Sequence, residues 1–267
     1  MKGKLEGKIA LVTGASKGIG RGIAMGLAAA GAGVAINFKT DAAGADATRE
    51  KIRQRGGEAE TIQADIGSVS EFQRMVDWVC SKFGRLDVLV NNAARTRFAP
   101  LFEVTEEDFA DVVDTNLRGP LFGTAAAARK MLEQGQGSII NVSSCAAKLM
   151  IPFHSAYSMA KGGLEALTRQ LAVELAPKIR VNAIAPGPTS TERNQGYDPN
   201  YDQRWGAFIP ANRVAYVDDY VGICVFLASD ESAFVTGQII GVDGGWTLRG
   251  NSPDFSSADF SQERKRG

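Results

Sequence analysis

Tyr157 and Lys161 stand four residues apart in the sequence, so on a helix their side chains project from one face. A phenol in water titrates at about 10, and an ammonium beside it favours the phenolate. That pairing brings a tyrosine toward the working range of a general acid/base that exchanges a proton with an alcohol or a carbonyl. A second constellation, Thr13-Gly14-Ala15-Ser16-Lys17-Gly18-Ile19-Gly20, follows a β-branched run and precedes an alanine-rich segment. Gly14 permits a tight turn, while Gly18 and Gly20 let a pyrophosphate and the next helix approach the backbone. The helix N-terminus then faces the anion. The spacing is G-x-x-x-G-x-G rather than the G-x-G-x-x-G of the general dinucleotide fingerprint, so from these residues alone a structural glycine turn stands as the alternative.

Nucleotide choice is read at the end of the second β-branched run. An acid there would bind the ribose 2′-hydroxyl and repel a 2′-phosphate. The run ends Ile36-Asn37-Phe38-Lys39-Thr40, without an acid. Lys39, and Lys17 inside the glycine turn, carry ammonium groups suited to a 2′-phosphate, unless both are solvated surface charges. The expectation is NADP(H) preferred, with NAD(H) possible. The only histidine, His154, precedes Tyr157 by three residues and is placed near the pocket mouth, as a substrate contact or a structural residue. Arg193, Tyr197, Tyr201, Arg204, Trp205 and Phe208 combine aromatic faces with guanidinium donors that could stack on sugar rings and bond hydroxyls.

These groups need a scaffold, and the chain supplies an alternating one. Strand-like runs at 8–13, 33–38, 60–64, 86–91, 138–143, 178–184 and 238–242 are separated by longer amphipathic segments, the pattern of βαβ units around one doubly wound parallel sheet. Ser68 and Glu71 read as a capping box before Phe72, Met75, Val76, Val79 and Phe83, which predicts a helix over 69–83. Leu164, Leu167, Leu171 and Leu175, with Pro177 as the stop, predict another over 156–176. Residues 186–213, which hold Pro186, Pro188, Pro199 and Pro210, read as a long mobile excursion on the substrate side rather than a buried element. The expected organisation is one α/β domain over 1–249 and a polar tail over 250–267.

Composition narrows the class. The 267 residues are 44% hydrophobic and 22% charged, which excludes disordered and collagen-like chains. Thirty basic residues balance thirty acidic ones, so no global field directs the chain to nucleic acid or an anionic membrane. Cys80, Cys145 and Cys224 have no metal-ligand spacing and read as reduced thiols in a cytoplasmic protein; no metal site is expected. No apolar run reaches the 18 or so residues of a membrane span, and the apolar run Ile9 to Val12 is too short for a signal-peptide core.

Taken together the motifs resemble the short-chain dehydrogenase/reductases. Thr13 to Gly20, Asn91-Asn92-Ala93-Ala94, Asn116, Ser144, Tyr157 and Lys161 follow that family's TGxxxGxG, NNAG, Asn, Ser and YxxxK in order and spacing, and the resemblance runs over residues 6 to 247. Ala94 replaces the last glycine of NNAG. The resemblance implies a Rossmann-like α/β domain with a seven-stranded parallel sheet flanked by helices. It implies that Tyr157 is the proton donor or acceptor, that Ser144 bonds the reacting oxygen, that Lys161 binds the nicotinamide ribose and lowers the tyrosine pKa, and that Asn116 holds a relay water. It implies cofactor contacts at Gly14, Ser16, Lys17, Gly18, Ile19, Gly20, Asn37, Lys39, Asp65, Ile66, Asn92, Ala93, Tyr157, Lys161, Pro186, Gly187 and Thr191, with Asn91 on the ribose side. Ser144, His154, Tyr157 and Trp205 are the substrate candidates. Asn37-Phe38-Lys39 and the stretch from Lys148 to Tyr157 are more similar to bacterial glucose-dehydrogenase-type members than to acyl-carrier-protein reductases. The expected function is NADP(H)-dependent interconversion of an alcohol and a carbonyl on a sugar, polyol or similar small hydroxy compound, by a homotetramer. The alternatives are a 3-oxoacyl thioester reductase and a silent dinucleotide-binding scaffold.

Overall fold

The computed structural model describes residues 3–249; the tail expected over 250–267 lies outside the described residues. Each β-branched run is a strand: β1 (Ile9–Val12), β2 (Gly33–Phe38), β3 (Ala59–Gln63), β4 (Val88–Asn91), β5 (Gly137–Val142), β6 (Ile179–Pro186) and β7 (Ile239–Val242). They form one parallel sheet in the order β3-β2-β1-β4-β5-β6-β7. Successive side chains leave opposite faces of a strand, and the two cores follow that alternation. Ala10, Val12, Val34, Ile36 and Val90 meet one core with Ile23 and Leu27, while Leu11, Ala35, Leu89 and Ile139 meet the other with Phe72, Val76 and Met131. Helices therefore cover both faces, as the near-continuous apolar strands require.

The first face carries α1 (Gly18–Ala29), α2 (Ala42–Gln54) and the late helix Val221–Ala228; the second carries α3 (Val69–Phe83), then α4 (Glu106–Val113) toward one end, α5 (Gly119–Gln134) and α6 (Ser155–Glu174). No helix among the described residues is long and apolar enough to cross a membrane. The winding direction reverses between β1 and β4, and a ligand crevice opens beyond the carboxyl ends of strands at such a switch point.

Three local expectations change. The capping box at 68–71 is half formed: the Ser68 hydroxyl accepts from the Glu71 N–H, but the Glu71 carboxylate reaches the Asp65 N–H at 2.8 Å instead. The leucine stripe of α6 is only part of its buried face: Leu164 is buried and Leu171 and Leu175 pack half-buried against the second core. The fully buried face runs through Lys161, Leu164, Glu165, Thr168 and Ala172, where polar groups are buried because they have partners: Thr168 accepts from the Asn141 amide at 2.9 Å, and Ser143 donates to Glu165 at 3.1 Å. The 186–213 excursion holds two short helices, α7 (Glu192–Tyr197) and α8 (Tyr201–Gly206), and buries Ile209. It is anchored where it leaves β6 by Thr189, whose hydroxyl pairs with the buried Tyr220 hydroxyl at 2.6 Å.

Candidate active site

A cleft of about 730 Å³ runs across the carboxyl edge of the sheet, from Lys39 and Asp65 at one end to Tyr201, Trp205 and Trp246 at the other. Its nucleotide end is built from main chain. Gly14 and Gly18 have φ of +61° and +55°, left-handed conformations that side-chain-bearing residues rarely adopt. A Cβ on Gly14 would lie 2.9 Å from the Ala93 Cα, and one on Gly18 would point toward the Thr191 methyl at 3.7 Å. The gap between Gly18 and Thr191 is thus a slot that a side chain would fill. α1 begins at this slot with no side-chain cap and no acid in its first turn, which leaves its N–H groups and positive dipole end to an anion. These features fit a dinucleotide pyrophosphate, with Gly14, Ser16, Lys17, Gly18, Ile19 and Gly20 lining the slot beside Pro186, Gly187 and Thr191.

Several expected contacts turn out to hold the scaffold. Asn91 is buried off the cleft and donates to Thr124 and Asn141, so the ribose-side role does not belong to it. Asn92 lines the cleft, but its amide N–H₂ donates to the carbonyls of Thr13 and Gly14 at 2.8 and 3.1 Å. Asn37 has its oxygen on the Gly14 N–H and its nitrogen on Ala64 O, a clamp between β2 and the glycine turn rather than a free ligand. Ile66 buries its side chain in the core, so only its main chain can face an adenine. Asp65 faces the cleft and accepts from the Gly67 N–H at 2.9 Å. Burial pushes its carboxyl up, but Lys39, paired with it at 2.6 Å, and the Gly67 N–H hold it below the usual carboxylate range. Lys39 therefore stands at the rim as half of an ion pair. Lys17 is an exposed side chain at the α1 N-terminus.

One acid near this end escaped the sequence reading. Asp41, just past the β2 end, lines the cleft, caps α2 through the Gly44 N–H and is held below the usual carboxylate range by that bond. Burial opposes the shift, and Ser16, Lys17 and Arg21 add to it. It lies beyond the stretch 36–40 in which an acid was sought, because the chain turns back toward the glycine loop only at the helix cap.

At the other end, β5 delivers Ser143 and Ser144, and α6 delivers Tyr157 and Lys161. Ser143 faces inward onto Glu165 and the Lys161 carbonyl, whereas Ser144 lines the cleft and accepts from the Ala146 N–H at 3.1 Å. Its own proton is thereby directed away from that turn. Lys161 is buried, donates to the Val142 carbonyl at 2.7 Å and lies 5.7 Å from the Tyr157 ring centre. Burial, with the nearby Arg193 charge, pulls its pKa down to about 7. The Tyr157 phenol departs from expectation: burial raises it above its ordinary value, while the Ser144 hydroxyl and the Arg193 guanidinium work to lower it. Lys161, with its ammonium drawn to the Val142 carbonyl and its own pKa depressed, is not what counters that rise.

Asn116 sits in a π-helical turn, Asp114–Arg118, and is fully buried. Its amide accepts from the Arg95 N–H at 3.2 Å and donates to the Arg95 carbonyl at 2.7 Å. The side chain thereby pins the segment that follows β4, using one of its two amide hydrogens.

His154 precedes α6 and follows Phe153, a non-glycine residue at φ +66°. Its ring is buried between Phe98 and Tyr157, at 4.0 and 4.8 Å between ring centres, and Nε2 meets the Thr96 hydroxyl at 2.7 Å. Burial pulls its pKa down to about 4, so the ring is neutral at physiological pH and acts as a wall of the pocket behind Tyr157. Trp205 lines the cleft, with Tyr201 at 5.8 Å and Trp246 edge-on at 5.5 Å. Phe98, Thr96 and Trp246 were not expected. Trp246 is carried over α8 by the left-handed glycines 244 and 245 and by Asp243, which accepts from the Gly245 and Thr247 N–H groups at 2.9 Å.

Comparison with known proteins agrees with this arrangement. Residues 14–247 match a family model described as enoyl-(acyl carrier protein) reductase. An oxidoreductase of Methylorubrum extorquens with no assigned role is 44% identical over 246 residues, 91% of this chain and 98% of that protein. A 3-oxoacyl-[acyl-carrier-protein] reductase of Synechocystis is 39% identical, with the same coverage. Glucose 1-dehydrogenase 2 of Bacillus subtilis is 37% identical over 91% of this chain and 96% of its own. Among solved structures, one from Sinorhizobium meliloti assigned as a short-chain alcohol dehydrogenase superposes with a TM-score of 0.87 at 40% identity, covering 91% and 98% of the two chains. One from Beutenbergia cavernae, assigned as an NAD(P)-dependent gluconate 5-dehydrogenase and holding NADP, gives 0.86 at 37% identity, covering 92% and 98%. The chain belongs to the short-chain dehydrogenase/reductase family. It is an NAD(P)-dependent oxidoreductase of that family.

Proposed function

We propose that this enzyme is an NADP(H)-dependent oxidoreductase that interconverts an alcohol and a carbonyl on a sugar, polyol or similar small hydroxy compound. The observation that carries the reading is the convergence of Ser144, Tyr157 and Lys161 on one end of a cleft whose other end is a glycine slot edged by Lys17 and Lys39. Bound in the cleft, the nicotinamide would supply or accept the hydride. Ser144, oriented by the Ala146 N–H, donates its hydrogen bond to the reacting oxygen. Tyr157 Oη gives a proton to that oxygen in reduction and, as the phenolate, takes it in oxidation. Lys161, with a pKa of about 7, gains or loses a proton at Nζ near neutral pH and contributes an ammonium to the nicotinamide ribose. Asn116 acts as a positioning residue through Arg95, and the neutral His154 ring holds the Tyr157 ring in place.

Preference for NADP(H) rests on Lys17 and Lys39, whose ammonium groups flank the place for a 2′-phosphate, with Asp41 as the nearby acid that limits it. The sugar or polyol reading rests on the aromatic rim of Tyr201, Trp205 and Trp246 and on the names of the glucose and gluconate relatives. The thioester reading is the second candidate because the Synechocystis relative and the family model carry acyl-carrier-protein names. Apolar side chains of α5 and α6 left exposed on the single chain, Phe122, Met159 and Val173, support a homotetramer, which light scattering would test. Three free thiols at Cys80, Cys145 and Cys224 support a reducing, cytoplasmic setting.

The test is initial-rate absorbance of NADPH and NADH over aldoses, polyols, secondary alcohols and acetoacetyl thioester. Faster sugar or polyol turnover with NADP is expected. Alanine at both Lys17 and Lys39 should lower kcat/KM for NADP by about tenfold relative to NAD, one charge-assisted contact's worth. Turnover with NAD alone would refute the lysine reading, and thioester reduction alone would promote the second candidate.

A further inference from the structure

α6 meets the end of β5 through side chains placed one turn apart. Tyr157, Lys161 and Glu165 follow one another at intervals of four residues and lie along one stripe of the helix. Opposite them stand three consecutive residues of the β5 end. The Val142 carbonyl accepts from Lys161 Nζ at 2.7 Å, the Ser143 hydroxyl donates to Glu165 Oε1 at 3.1 Å, and Ser144 lines the cleft together with Tyr157. The Ser143 hydroxyl carries a single proton, and its other acceptor, the Lys161 carbonyl, is farther away at 3.4 Å. Glu165 is 5% exposed and does not line the cleft. Among the described residues no cation pairs with it and Ser143 is its hydrogen-bond partner. A carboxyl group buried on one hydroxyl is costly where an apolar side chain would pack without that cost, so fold stability does not account for it. The bond does bear on Ser144. Its hydroxyl is oriented by the Ala146 N–H, but the backbone that carries it is fixed from the preceding residue, by the Ser143 N–H on the Ile184 carbonyl at 2.8 Å and by the Ser143 hydroxyl on Glu165.

We propose that Glu165 is a positioning residue for the proton transfer: through the Ser143 hydroxyl it fixes the end of β5, and so the approach of the Ser144 hydroxyl to Tyr157 and to the reacting oxygen. The proposal rests on the roles given above to Ser144 and Tyr157, and adds to them a group that touches neither substrate nor cofactor. Glu165 holds Ser143 as Lys161 holds Val142, one turn and one residue along. Without the Glu165 bond, Ser143 keeps only its main-chain tie and the longer contact to the Lys161 carbonyl, and Ser144 turns with it.

The test assays Glu165→Met, Glu165→Gln and Ser143→Ala with NADP(H) and the compound of the panel above that the wild type turns over fastest. Melting temperatures and crystal structures of Glu165→Met and Ser143→Ala accompany the rates. Methionine has the length and helix preference of glutamate but no strong acceptor. Its kcat should fall about tenfold, a part of what a 1 Å misplacement costs, with the KM for NADP(H) held within about twofold. Ser143→Ala should show a similar loss, and the double variant no more than either single one. Glu165→Gln, whose amide oxygen still accepts, should keep kcat within about threefold of the wild type. The melting temperature of Glu165→Met should equal or exceed that of the wild type, and its crystal structure should show Ser144 Oγ displaced. An unchanged kcat in Glu165→Met, a loss confined to KM, a loss that tracks the amount of folded protein, or glutamine as damaging as methionine would overturn the proposal. So would an unmoved Ser144 Oγ, which decides the matter even where no compound of the panel reacts. Ser143→Ala, which removes the same bond from its other side, decides it where Glu165→Met does not fold. Wild-type turnover by Tyr157→Phe would overturn the roles beneath the proposal, whereas a fully active Glu165→Met beside an inactive Tyr157→Phe would overturn the proposal alone.

Discussion

The two ends of the cleft are held by different kinds of atoms. At the nucleotide end, position comes from backbone: left-handed glycines at 14 and 18, an uncapped helix start, and Thr13, Asn37 and Asn92 locking the turn to β2 and β4. At the substrate end, position comes from side chains that meet from afar in the sequence. Phe98 follows β4, His154 precedes α6, Trp205 lies on α8 and Trp246 follows β7, and these rings stack on or abut one another or Tyr157. A surface made of main-chain N–H groups offers the same chemistry whatever the neighbouring side chains are. A surface made of side chains on connecting segments changes with each substitution. The contrast explains why relatives of this chain with similar coverage carry both acyl-thioester and sugar names.

The largest effect lies where the two ends meet. Tyr157→Phe removes the proton-transferring oxygen but keeps the ring against His154, and kcat should fall by about 10³-fold while titration calorimetry shows NADP binding retained. Persistence of more than about a tenth of wild-type turnover would remove Tyr157 from the chemistry. At the nucleotide end, Gly18→Val places a branched side chain at φ +55° and aims it at Thr191. NADP affinity should drop about a hundredfold, the equivalent of ~3 kcal/mol for strain and blocked anion contacts. If affinity is kept, the backbone-slot account is wrong, whatever happens at the substrate end.

The smallest effect isolates the wall behind Tyr157. His154 is buried neutral with a pKa of about 4, below its unfolded value of about 6.5. In that window the unfolded chain binds the proton and the folded chain does not, so stability falls as pH drops from about 6.5 to 4 and is unaffected by this group above it. Thermal melts should show His154→Gln losing less stability than the wild type over that range, by of order 1 to 2 kcal/mol once solvent screening at the cleft mouth is allowed for. Parallel melting curves would mean that the ring is open to water and does not serve as a wall.

Much of the site was legible because its signals are local. The Tyr157–Lys161 spacing, the glycine turn and the strand ends each draw on a few consecutive residues, and each lands on the cleft. The roles inside the motifs were less legible. Asn91, Asn37 and Asn116 have the residue type of ligands, yet their amides are taken up by Asn141, Gly14 and Arg95. An asparagine that binds a ligand and one that ties two strands look alike until the partners are placed. The same holds for α6, where the leucine spacing pointed to one stripe and satisfied polar groups let burial extend from Leu164 onto Glu165 and Thr168.

The sequence by itself determined the succession of strands and helices along the chain and the residues able to transfer a proton, since hydrophobic periodicity and φ-permissive glycines act over short stretches of chain. Tertiary structure alone decided which polar groups remain free. It joined Lys39 to Asp65, tied Asn116 to Arg95, stacked His154 on Tyr157 and set Trp246 edge-on to Trp205. Hydrogen bonds and ion pairs are consumed between residues far apart in sequence, and the chemistry left over for a substrate is what remains after that pairing.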